Sequence, residues 1–361
     1  MVQNPKVSIV IPVYNVAPFL RQCLDSAVNQ TLQDIEIICV NDGSTDASPE
    51  ILKEYAAKDP RIKIINKENS GYGASMNRGL QMATGEYFAV LESDDFCMLD
   101  MYETLYNTAK QFDADIVRSD YFDYTTQNQQ INLKVQQMSK KYSYYYRPIC
   151  PNEEQEVYLF VMHNWTGIYK MSFLREHQVQ YNETPGASYQ DNGFFFQVFA
   201  WAKKLVYVPR PFYCYRIDNA GSSIHDPQKA HAMTVEYQYI RSFLHRHPDL
   251  EEKLEPVFYA RLFRVYYQTY QRIDQAAQSD YAKFFREEFV KAKATNRLDT
   301  GMLTERHRQA LQALLHSPEE FQAFMHGTHK LRRKINTLKY VYSMDGLKGI
   351  TGRIKEKICR L

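Results

Sequence analysis

The sequence predicts an α/β protein whose mostly parallel sheet is flanked by helices and followed by a helical C-terminal region. In the first 95 residues, short β-branched apolar runs alternate with segments of helical spacing, the pattern of strand–helix units. From about residue 226 onward, apolar residues keep helical spacing alone. The expected division of the chain is therefore 1–225, with halves 1–125 and 126–225, and then 226–361.

Composition narrows the class of protein. A hydrophobic content of 44% and a charged content of 24% are typical of a globular chain rather than a disordered one. The six cysteines are scattered without a Cys-x-x-Cys pair, so we expect neither a zinc site nor a disulfide framework, and a reducing cytosol fits. No leader peptide is evident, and no apolar stretch approaches the roughly 20 residues that span a bilayer. No nucleic-acid partner is expected.

The first elements follow from hydrophobic patterning. Val7 to Ile11 is a β-branched run closed by Pro12, which predicts a strand. Apolar residues then recur at helical spacing from Phe19 to Val28, and Ile35 to Val40 predicts a second buried strand. A strand, a helix and a further strand in this order favour parallel pairing.

Two polar turns that contain glycine frame the next strand–helix unit. The turn 41–46 follows strand two, and Ser48-Pro49 supplies the N-cap and first position of a helix. Ile62 to Ile65 predicts strand three, and the loop 69–73 leads into a third helix. Because ligands bind at the carboxyl ends of strands in such sheets, these turns are candidate binding elements.

The stretch 87–95 ends the fourth strand in a cluster of acids. Phe88 to Leu91 is an unbroken apolar run, and Glu92, Asp94 and Asp95 follow it. Clustered carboxylates repel one another and cost desolvation energy, whereas a hard divalent cation uses such oxygens together with substrate phosphates. A polar turn that merely closes the strand is the alternative. This segment alone leaves both interpretations open.

Four motifs together resemble family 2 glycosyltransferases of the GT-A fold. They are VSIVIPVYN (7–15), VNDGSTD (40–46), Gly-x-x-x-Ser-x-Asn-x-Gly (71–79) and LESDD (91–95). The resemblance is strong over about the first 125 residues and looser to about residue 225. It implies an inverting transfer from a nucleotide-diphosphate sugar, helped by Mg²⁺ or Mn²⁺.

The resemblance also implies roles for individual residues. Asp42 corresponds to the aspartate that contacts the uracil edge, and Asp94 to the carboxylate nearest the metal. The residues expected to bind the nucleotide sugar are Pro12, Tyr14, Asn15, Asp42, Gly71, Asn77, Arg78, Glu92, Ser93 and Arg216. Those expected to bind the cation are Asp94, Asp95 and His225. The acceptor candidates are Trp165 and Tyr189.

Asp191 is the candidate catalytic base. It precedes an apolar helix predicted from Phe194 to Trp201, and a helix start favours an ionised carboxylate. An ordinary N-cap is the alternative. The resemblance implies the base, because family 2 enzymes carry an aspartate at this point, commonly in a Glu-Asp pair that reads Gln190-Asp191 here. The base would take the proton of the acceptor hydroxyl.

Three features leave alternatives open. Glu92 stands where the family's Asp-x-Asp motif has its first aspartate, so a weakened enzyme remains possible on sequence alone. Arg216 would contact the diphosphate or the metal, or else form a surface salt bridge. The segment 120–156 is either a disordered insert or an ordered flap over the acceptor site, and its tyrosines favour the flap.

The C-terminal tail carries most of the positive charge. Residues 330–361 hold ten Lys or Arg against two Asp or Glu, although the whole chain has a net charge of +2. Five aliphatic residues fall on one helical face: Leu347, Ile350, Ile354, Ile358 and Leu361. A basic amphipathic helix is typical of a membrane-surface element, and a helix docked on protein is the alternative.

The sequence therefore predicts a cytoplasmic glycosyltransferase attached to the inner face of the membrane. It would move a hexose or N-acetylhexosamine from a UDP-sugar to a glycan or lipid-linked acceptor in surface polysaccharide synthesis. A pseudo-glycosyltransferase that binds nucleotide sugar and scaffolds a partner is the alternative, and a homo-oligomer is left open. A sugar-phosphate nucleotidyltransferase would want a glycine-rich, basic loop directly after strand one, which 12–15 does not supply.

Overall fold

The computed structural model describes residues 4–127, 130–187, 189–219 and 232–327. The strands are β1 Val7–Val13, β2 Ile35–Asp42, β3 Ile62–Lys67, β4 Tyr87–Val90, β5 Phe96–Cys97, β6 Ile116–Gln127, β7 Gln130–Gln136, β8 Gly167–Lys170 and β9 Leu205–Arg216. The helices of the first 245 residues are α1 Ala17–Val28, α2 Ser48–Lys58, α3 Tyr72–Met82, α4 Met101–Phe112, α5 Met171–Glu176, α6 Asp191–Trp201 and α7 Ala232–His245. They are followed by α8 Pro248–Arg272, α9 Gln278–Ala294 and α10 Glu305–His316.

In the described part of the chain, one sheet has the strand order β3-β2-β1-β4-β8-β6-β9-β5, with β7 paired to β6. The first four strands are parallel, as predicted. The later strands add antiparallel pairs, among them β4 with β8 and β6 with β8. The predicted α/β fold class with its helical C-terminal region is confirmed, and the sheet as described is mixed, with a further parallel pair between β6 and β9. The carboxyl ends of β1, β2 and β4 lie at one edge.

The core forms where the apolar runs of the sequence are longest. Every residue of β1, β2 and β4 is buried, and α1 buries Leu20, Cys23 and Leu24 on its apolar face. Because both faces of these strands are covered, they are mostly hydrophobic rather than alternating, with buried polar exceptions such as Ser8 and Glu36, which hydrogen-bond to each other. The polar turns that follow them are consequently held on a rigid support.

The segment 120–156 is ordered where the structure describes it. Strands β6 and β7 form an antiparallel hairpin, and short 3₁₀ turns follow at Tyr142–Tyr144 and Gln155–Leu159. Tyr144 and Tyr145 are buried. These observations favour the ordered alternative, whereas a covering role over an acceptor stays a prediction.

The chain divides into two compact units, Met1–Val257 and Phe258–Leu361. The division predicted after residue 225, with its halves 1–125 and 126–225, stays a prediction. Within the second unit, aromatic rings from α8 and α9 pack together, with Phe263 lying 5.2 Å from Phe285 and 5.4 Å from Phe289 between ring centroids. The predicted amphipathic helix in 330–361 lies outside the described residues. None of the described helices is both long and apolar enough to cross a bilayer.

Candidate functional site

The acid turn after β4 is tied to β9. Leu91 and Ser93 are buried, and Asp95 is only 1% exposed. Asp95 accepts hydrogen bonds from the Tyr213 hydroxyl at 2.9 Å and from the Arg216 backbone N–H at 2.7 Å. Burial raises the pKa of Asp95 well above its usual value. Asp95 therefore anchors the turn.

Glu92 lies inside a hydrogen-bond network. The Tyr72 hydroxyl donates to Glu92 Oε1 at 2.7 Å and accepts from Asn164 Nδ2 at 3.0 Å. Burial raises the pKa of Glu92 to about 8; the hydrogen bond from Tyr72 opposes this shift, and the charges of Asp94 and Asp191 add to it. The longer side chain of Glu92 thus reaches Tyr72 of α3. The effect of the Asp191 charge indicates that this acid turn lies near the candidate base.

Asp94 is half-buried, whereas Asp95 is buried. Its Oδ2 accepts from Asn219 Nδ2 at 2.8 Å, and its carbonyl accepts from Arg216 Nε at 2.9 Å. Arg216 is 7% exposed, and its Nη1 lies 3.8 Å from Asp218 Oδ1, so it forms an ion pair that is largely buried; its contact with a diphosphate or a metal stays a prediction. His225 lies outside the described residues. Among the residues described, no three His, Cys, Asp or Glu side chains are placed to hold a metal ion together.

Asp42 ends β2 with both oxygens engaged. Oδ1 accepts from the Ser70 backbone N–H at 2.9 Å and from Lys67 Nζ, and Oδ2 accepts from the Gly71 backbone N–H at 3.0 Å. The residue is 5% exposed. Asp42 therefore joins the turn after β2 to the loop that begins α3.

The loop after β1 packs beside the same turn. The Asn15 side chain accepts from the Thr45 N–H at 2.8 Å, and the Asn15 N–H donates to Ser44 Oγ at 3.1 Å. Asn15 has a φ of 49°, a left-handed conformation that asparagine tolerates better than most residues. Pro12 is buried in β1, whereas Tyr14 is 51% exposed and leaves a ring at this edge.

The glycines at the start of α3 allow another segment to approach. A Cβ on Gly71 would lie 2.6 Å from the Thr184 carbonyl oxygen, and Gly71 has a φ of 92°. A Cβ on Gly73 would lie 2.0 Å from the Asn182 carbonyl oxygen. The Tyr72 N–H also donates to the Gly186 carbonyl at 3.0 Å. The segment Tyr181–Gly186, which we name the α3-bound segment, therefore lies directly on α3.

Asn77 fixes the same segment from the middle of α3. It is 8% exposed, its Nδ2 donates to the Tyr181 carbonyl at 2.9 Å and to Glu183 Oε1 at 2.8 Å, and its Oδ1 accepts from the Tyr181 N–H at 2.8 Å. Arg78, by contrast, is exposed and donates to Gln81. The structure thus gives Asn77 a protein partner and does not bring Arg78 to the acid turn.

Asp191 is the first residue of α6, and Gln190 occupies the N-cap position. The Gln190 side chain donates to Thr184 Oγ1 at 2.8 Å, and Asn192 Nδ2 donates to Asp191 Oδ1 at 2.9 Å. Tyr189, the residue before Gln190, has a φ of 67° and is half-buried. Asp191 is accordingly not the N-cap residue, and a neighbouring amide orients its carboxylate at the positive end of the helix.

An aromatic stack lines the region beside the acid turn. Trp165 is 4% exposed and stacks on Tyr213 at a centroid distance of 4.2 Å, on His163 at 4.5 Å and on Tyr215 at 5.2 Å. Burial, together with the charge of Arg118, lowers the pKa of His163 to about 3. Trp165 therefore supports this side of the site from within the protein.

Several residues of the site were not found from sequence. Tyr72 and Asn164 contact Glu92 or its network, and Glu236 of α7 accepts from the Gly193 N–H at 2.8 Å beside Asp191. Burial raises the pKa of Glu236 to about 8, against the hydrogen bonds from its partners. A charged residue on the apolar face of α7 was a detectable signal for Glu236, since it precedes Ile240 by four residues.

Comparison of the sequence with known proteins relates the chain to one family. The model of the family "Glycosyl transferase family 2" matches residues 8–176. EpsH of Bacillus subtilis (strain 168), which carries a provisional glycosyltransferase name, is 33% identical over 256 residues, covering 69% of this chain and 72% of EpsH. The chain belongs to glycosyl transferase family 2. The resemblance drawn from its motifs is thereby confirmed.

Two further similarities extend the comparison of this family 2 chain. Glycosyltransferase GlyA of Streptococcus pneumoniae (serotype 4) is 33% identical over 232 residues, which cover 62% of this chain and about a third, 32%, of GlyA. The crystal structure of S. aureus TarS 1–349 in complex with UDP-GlcNAc has a TM-score of 0.69 at 17% identity, covering 90% of this chain and 92% of that one. The similarity to TarS shows that the chain has the GT-A fold.

Proposed function

We propose that the chain transfers a hexose or N-acetylhexosamine from a UDP-sugar to a hydroxyl of a glycan or lipid-linked acceptor, with inversion. The observation that carries this proposal is the closeness of two acidic elements at one edge of the sheet. Tyr72 donates through its hydroxyl to Glu92 in the acid turn and through its N–H to the Gly186 carbonyl, which also accepts from the side chain of Gln190, the residue before Asp191. A leaving-group site and a base would therefore face the same small volume.

The donor is proposed from the edge formed by β1 and β2. Asp42 holds the loop that leads into α3, and the exposed ring of Tyr14 lies after β1. Asp42 Oδ2 accepts from the Gly71 N–H and has a second lone pair for the uracil N–H, a hydrogen bond that discriminates against bases lacking this donor. TarS, which shares the fold, has been crystallised with UDP-GlcNAc, and this supports a uridine donor here.

Asp191 is proposed as the general base. As the acceptor oxygen attacks the anomeric carbon, Asp191 takes the hydroxyl proton, the new glycosidic bond forms, and the bond from carbon to the diphosphate oxygen breaks. The nucleoside diphosphate leaves with the bonding electrons, and the anomeric centre is inverted. Asn192 keeps one Asp191 oxygen in a fixed orientation through its 2.9 Å hydrogen bond. One carboxylate suffices for this single displacement.

A divalent cation, Mn²⁺ or Mg²⁺, is proposed at Asp94. Asp95 is buried and its oxygens accept from Tyr213 and Arg216, and Glu92 accepts from Tyr72, whereas Asp94 is half-buried. Such cations are commonly held by one or two carboxylates together with substrate phosphates, and Asp94 fits that arrangement. When bound, the cation would neutralise the charge of the departing diphosphate.

A donor panel tests the proposal. We expect UDP-sugars to raise the thermal unfolding midpoint in the presence of Mn²⁺ more than GDP- or dTDP-sugars do, because a ligand that binds only the folded state stabilises it. The donor that stabilises most should then be hydrolysed slowly and transferred to a hydroxyl acceptor. Stabilisation without any hydrolysis or transfer would favour the pseudo-glycosyltransferase.

Membrane attachment through residues 330–361 is proposed from their sequence. Each Lys or Arg near an anionic surface contributes about 1 kcal/mol, and salt weakens this attraction. Removal of 330–361 should release the protein from anionic vesicles in flotation while donor hydrolysis persists. A changed oligomeric state with unchanged flotation would instead indicate a helix docked on protein.

A further inference from the structure

Glu236 is a buried carboxyl group that the proposed chemistry does not use. It lies on α7, is 1% exposed, and accepts hydrogen bonds from the Gly193 N–H at 2.8 Å and from Asn182 Nδ2 at 3.0 Å. Gly193 is the third residue of α6, two positions after Asp191. One carboxyl group thus bridges the first turn of α6 and the α3-bound segment.

Gly193, which faces Glu236, leaves room for its carboxyl group because glycine has no side chain. A Cβ on Gly193 would lie 2.2 Å from Glu236 Oε1, so a larger residue there would displace the carboxyl group. The first backbone N–H groups of a helix have no partner within the helix, and a carboxyl oxygen satisfies one of them here. Burying a carboxyl group is costly, so general stability alone would favour an apolar residue at this position.

The partners of Glu236 are themselves held. Asn182 belongs to the α3-bound segment, and its carbonyl lies against Gly73 of α3. On the same segment, Asn77 fixes Tyr181 through two hydrogen bonds. Glu236 therefore connects the first turn of α6 to the α3-bound segment and, through it, to α3. Asp191 itself takes no part in these contacts.

We propose that Glu236 is a positioning residue for sugar transfer, which holds the first turn of α6 so that the Asp191 carboxylate faces the acceptor hydroxyl. This rests on the proposed function, in which Asp191 is the base. A misplacement of about 1 Å in a reacting group can cost about 10²-fold in rate. A residue of this kind therefore affects turnover more than donor binding.

Three substitutions in the full-length chain test the proposal. Glu236→Ala removes both acceptor oxygens, and Glu236→Gln keeps the acceptor for Gly193 but places a donor opposite Asn182. Gly193→Ala leaves Glu236 in the sequence but inserts the clashing Cβ. The matched control is Tyr239→Phe: Tyr239 lies on the same helix with its ring against Gly193, and this substitution keeps the ring and removes only the hydroxyl, which donates to the Gln180 carbonyl at 3.0 Å.

The measurements are kcat, KM, calorimetric UDP affinity, and amide hydrogen exchange of peptides covering 189–197. We expect kcat to fall at least about tenfold in Glu236→Ala and Gly193→Ala and less in Glu236→Gln, with UDP affinity unchanged within about twofold. Exchange in 189–197 should accelerate in the same order, and Tyr239→Phe should match the native chain in kcat.

The outcomes separate this proposal from the proposed function. Native kcat and native exchange in Glu236→Ala would overturn it, as would an equal loss of turnover in Tyr239→Phe. A parallel loss of UDP affinity and stability in every variant would indicate a purely structural residue. If the native chain transfers no sugar from any donor, the proposed function fails, and unchanged exchange in Glu236→Ala and Gly193→Ala would then overturn the positioning role as well.

Discussion

Asn77 and Tyr181 exchange two hydrogen bonds across 104 positions of the sequence, from Asn77 Nδ2 to the Tyr181 carbonyl at 2.9 Å and from the Tyr181 N–H to Asn77 Oδ1 at 2.8 Å. The asparagine side chain thereby pairs with the backbone of the α3-bound segment as a neighbouring strand would. The α3-bound segment precedes Asp191 in the sequence. Helix α3, which carries the Gly-x-x-x-Ser-x-Asn-x-Gly motif, therefore supports the candidate base.

Asn77→Ala should lower the free energy of unfolding by about 2–4 kcal/mol, because it leaves a buried backbone N–H and carbonyl without their partner. Urea unfolding measures the change. Arg78→Ala, one position along on the exposed face of α3, is the matched control and should stay within about 0.5 kcal/mol of the native chain. Equal stability of the two variants would show that the α3-bound segment is held by other contacts.

Asp42→Ala should weaken UDP binding by roughly 1–3 kcal/mol, the usual penalty when a buried polar partner is left unsatisfied. Calorimetric titration with UDP measures it. Lys67→Met is the control, since it removes the cation beside Asp42 but leaves the carboxylate and its contacts with the loop backbone. If both variants lose affinity equally, the order of the loop rather than the carboxylate determines UDP binding.

Asp94→Asn should abolish the tightening of UDP binding by Mn²⁺, because it removes the charge of the proposed ligand. Asp95→Asn is the matched control and should retain the metal effect, since Tyr213 and Arg216 already occupy its oxygens. UDP titrations with and without Mn²⁺ compare the two. A loss of the metal effect in Asp95→Asn alone would move the metal site to Asp95.

Glu36→Gln should lower stability by about 2–3 kcal/mol at neutral pH, because it breaks a largely buried ion pair with Lys63. Burial alone would raise the pKa of Glu36, but hydrogen bonds from Lys63, Ser8 and Thr84 outweigh it, so the pKa lies below its ordinary value of 4.5. The stabilisation is therefore present above that value and is lost as the pH falls through the lowered pKa.

Urea unfolding of the native chain and of Glu36→Gln, measured at falling pH, follows this loss. The difference between their free energies of unfolding, the stability gap, should shrink below about pH 4. Glu86→Gln is the control: its ion pair with Lys110 is partly exposed, so the change should be at most about 1 kcal/mol. A gap that stays constant over the acidic range would show that the charge of Glu36 does not stabilise the fold.

The first half of the fold was predictable from sequence because its signals are local. Buried strands β1, β2 and β4 are mostly apolar, β-branched or aromatic runs, and each is followed by a polar turn. The full length of β9 was not, since Pro209 and Pro211 interrupt its pattern. A register shift in the pairing of β6 with β9, between Ser119 and Tyr121, accommodates the interruption.

The candidate site was predictable only as single residues. The position of Asp191 at a helix start follows from the apolar run after it, and the structure places it there. The partners of Asn77, Glu92 and Gly193 are side chains or backbone groups distant in sequence, and hydrophobic periodicity carries no information on such pairs. Glu236, for example, contacts Gly193 across 43 positions.

The most direct test of the central claim is the turnover of Asp191→Asn with the UDP-sugar that binds best. Asparagine keeps the shape of the side chain but cannot accept the acceptor's proton. The account predicts that turnover falls by about 10²–10⁴ while UDP affinity stays nearly native, the usual contribution of a positioned general base. Sugar transfer at the native rate by Asp191→Asn would contradict it.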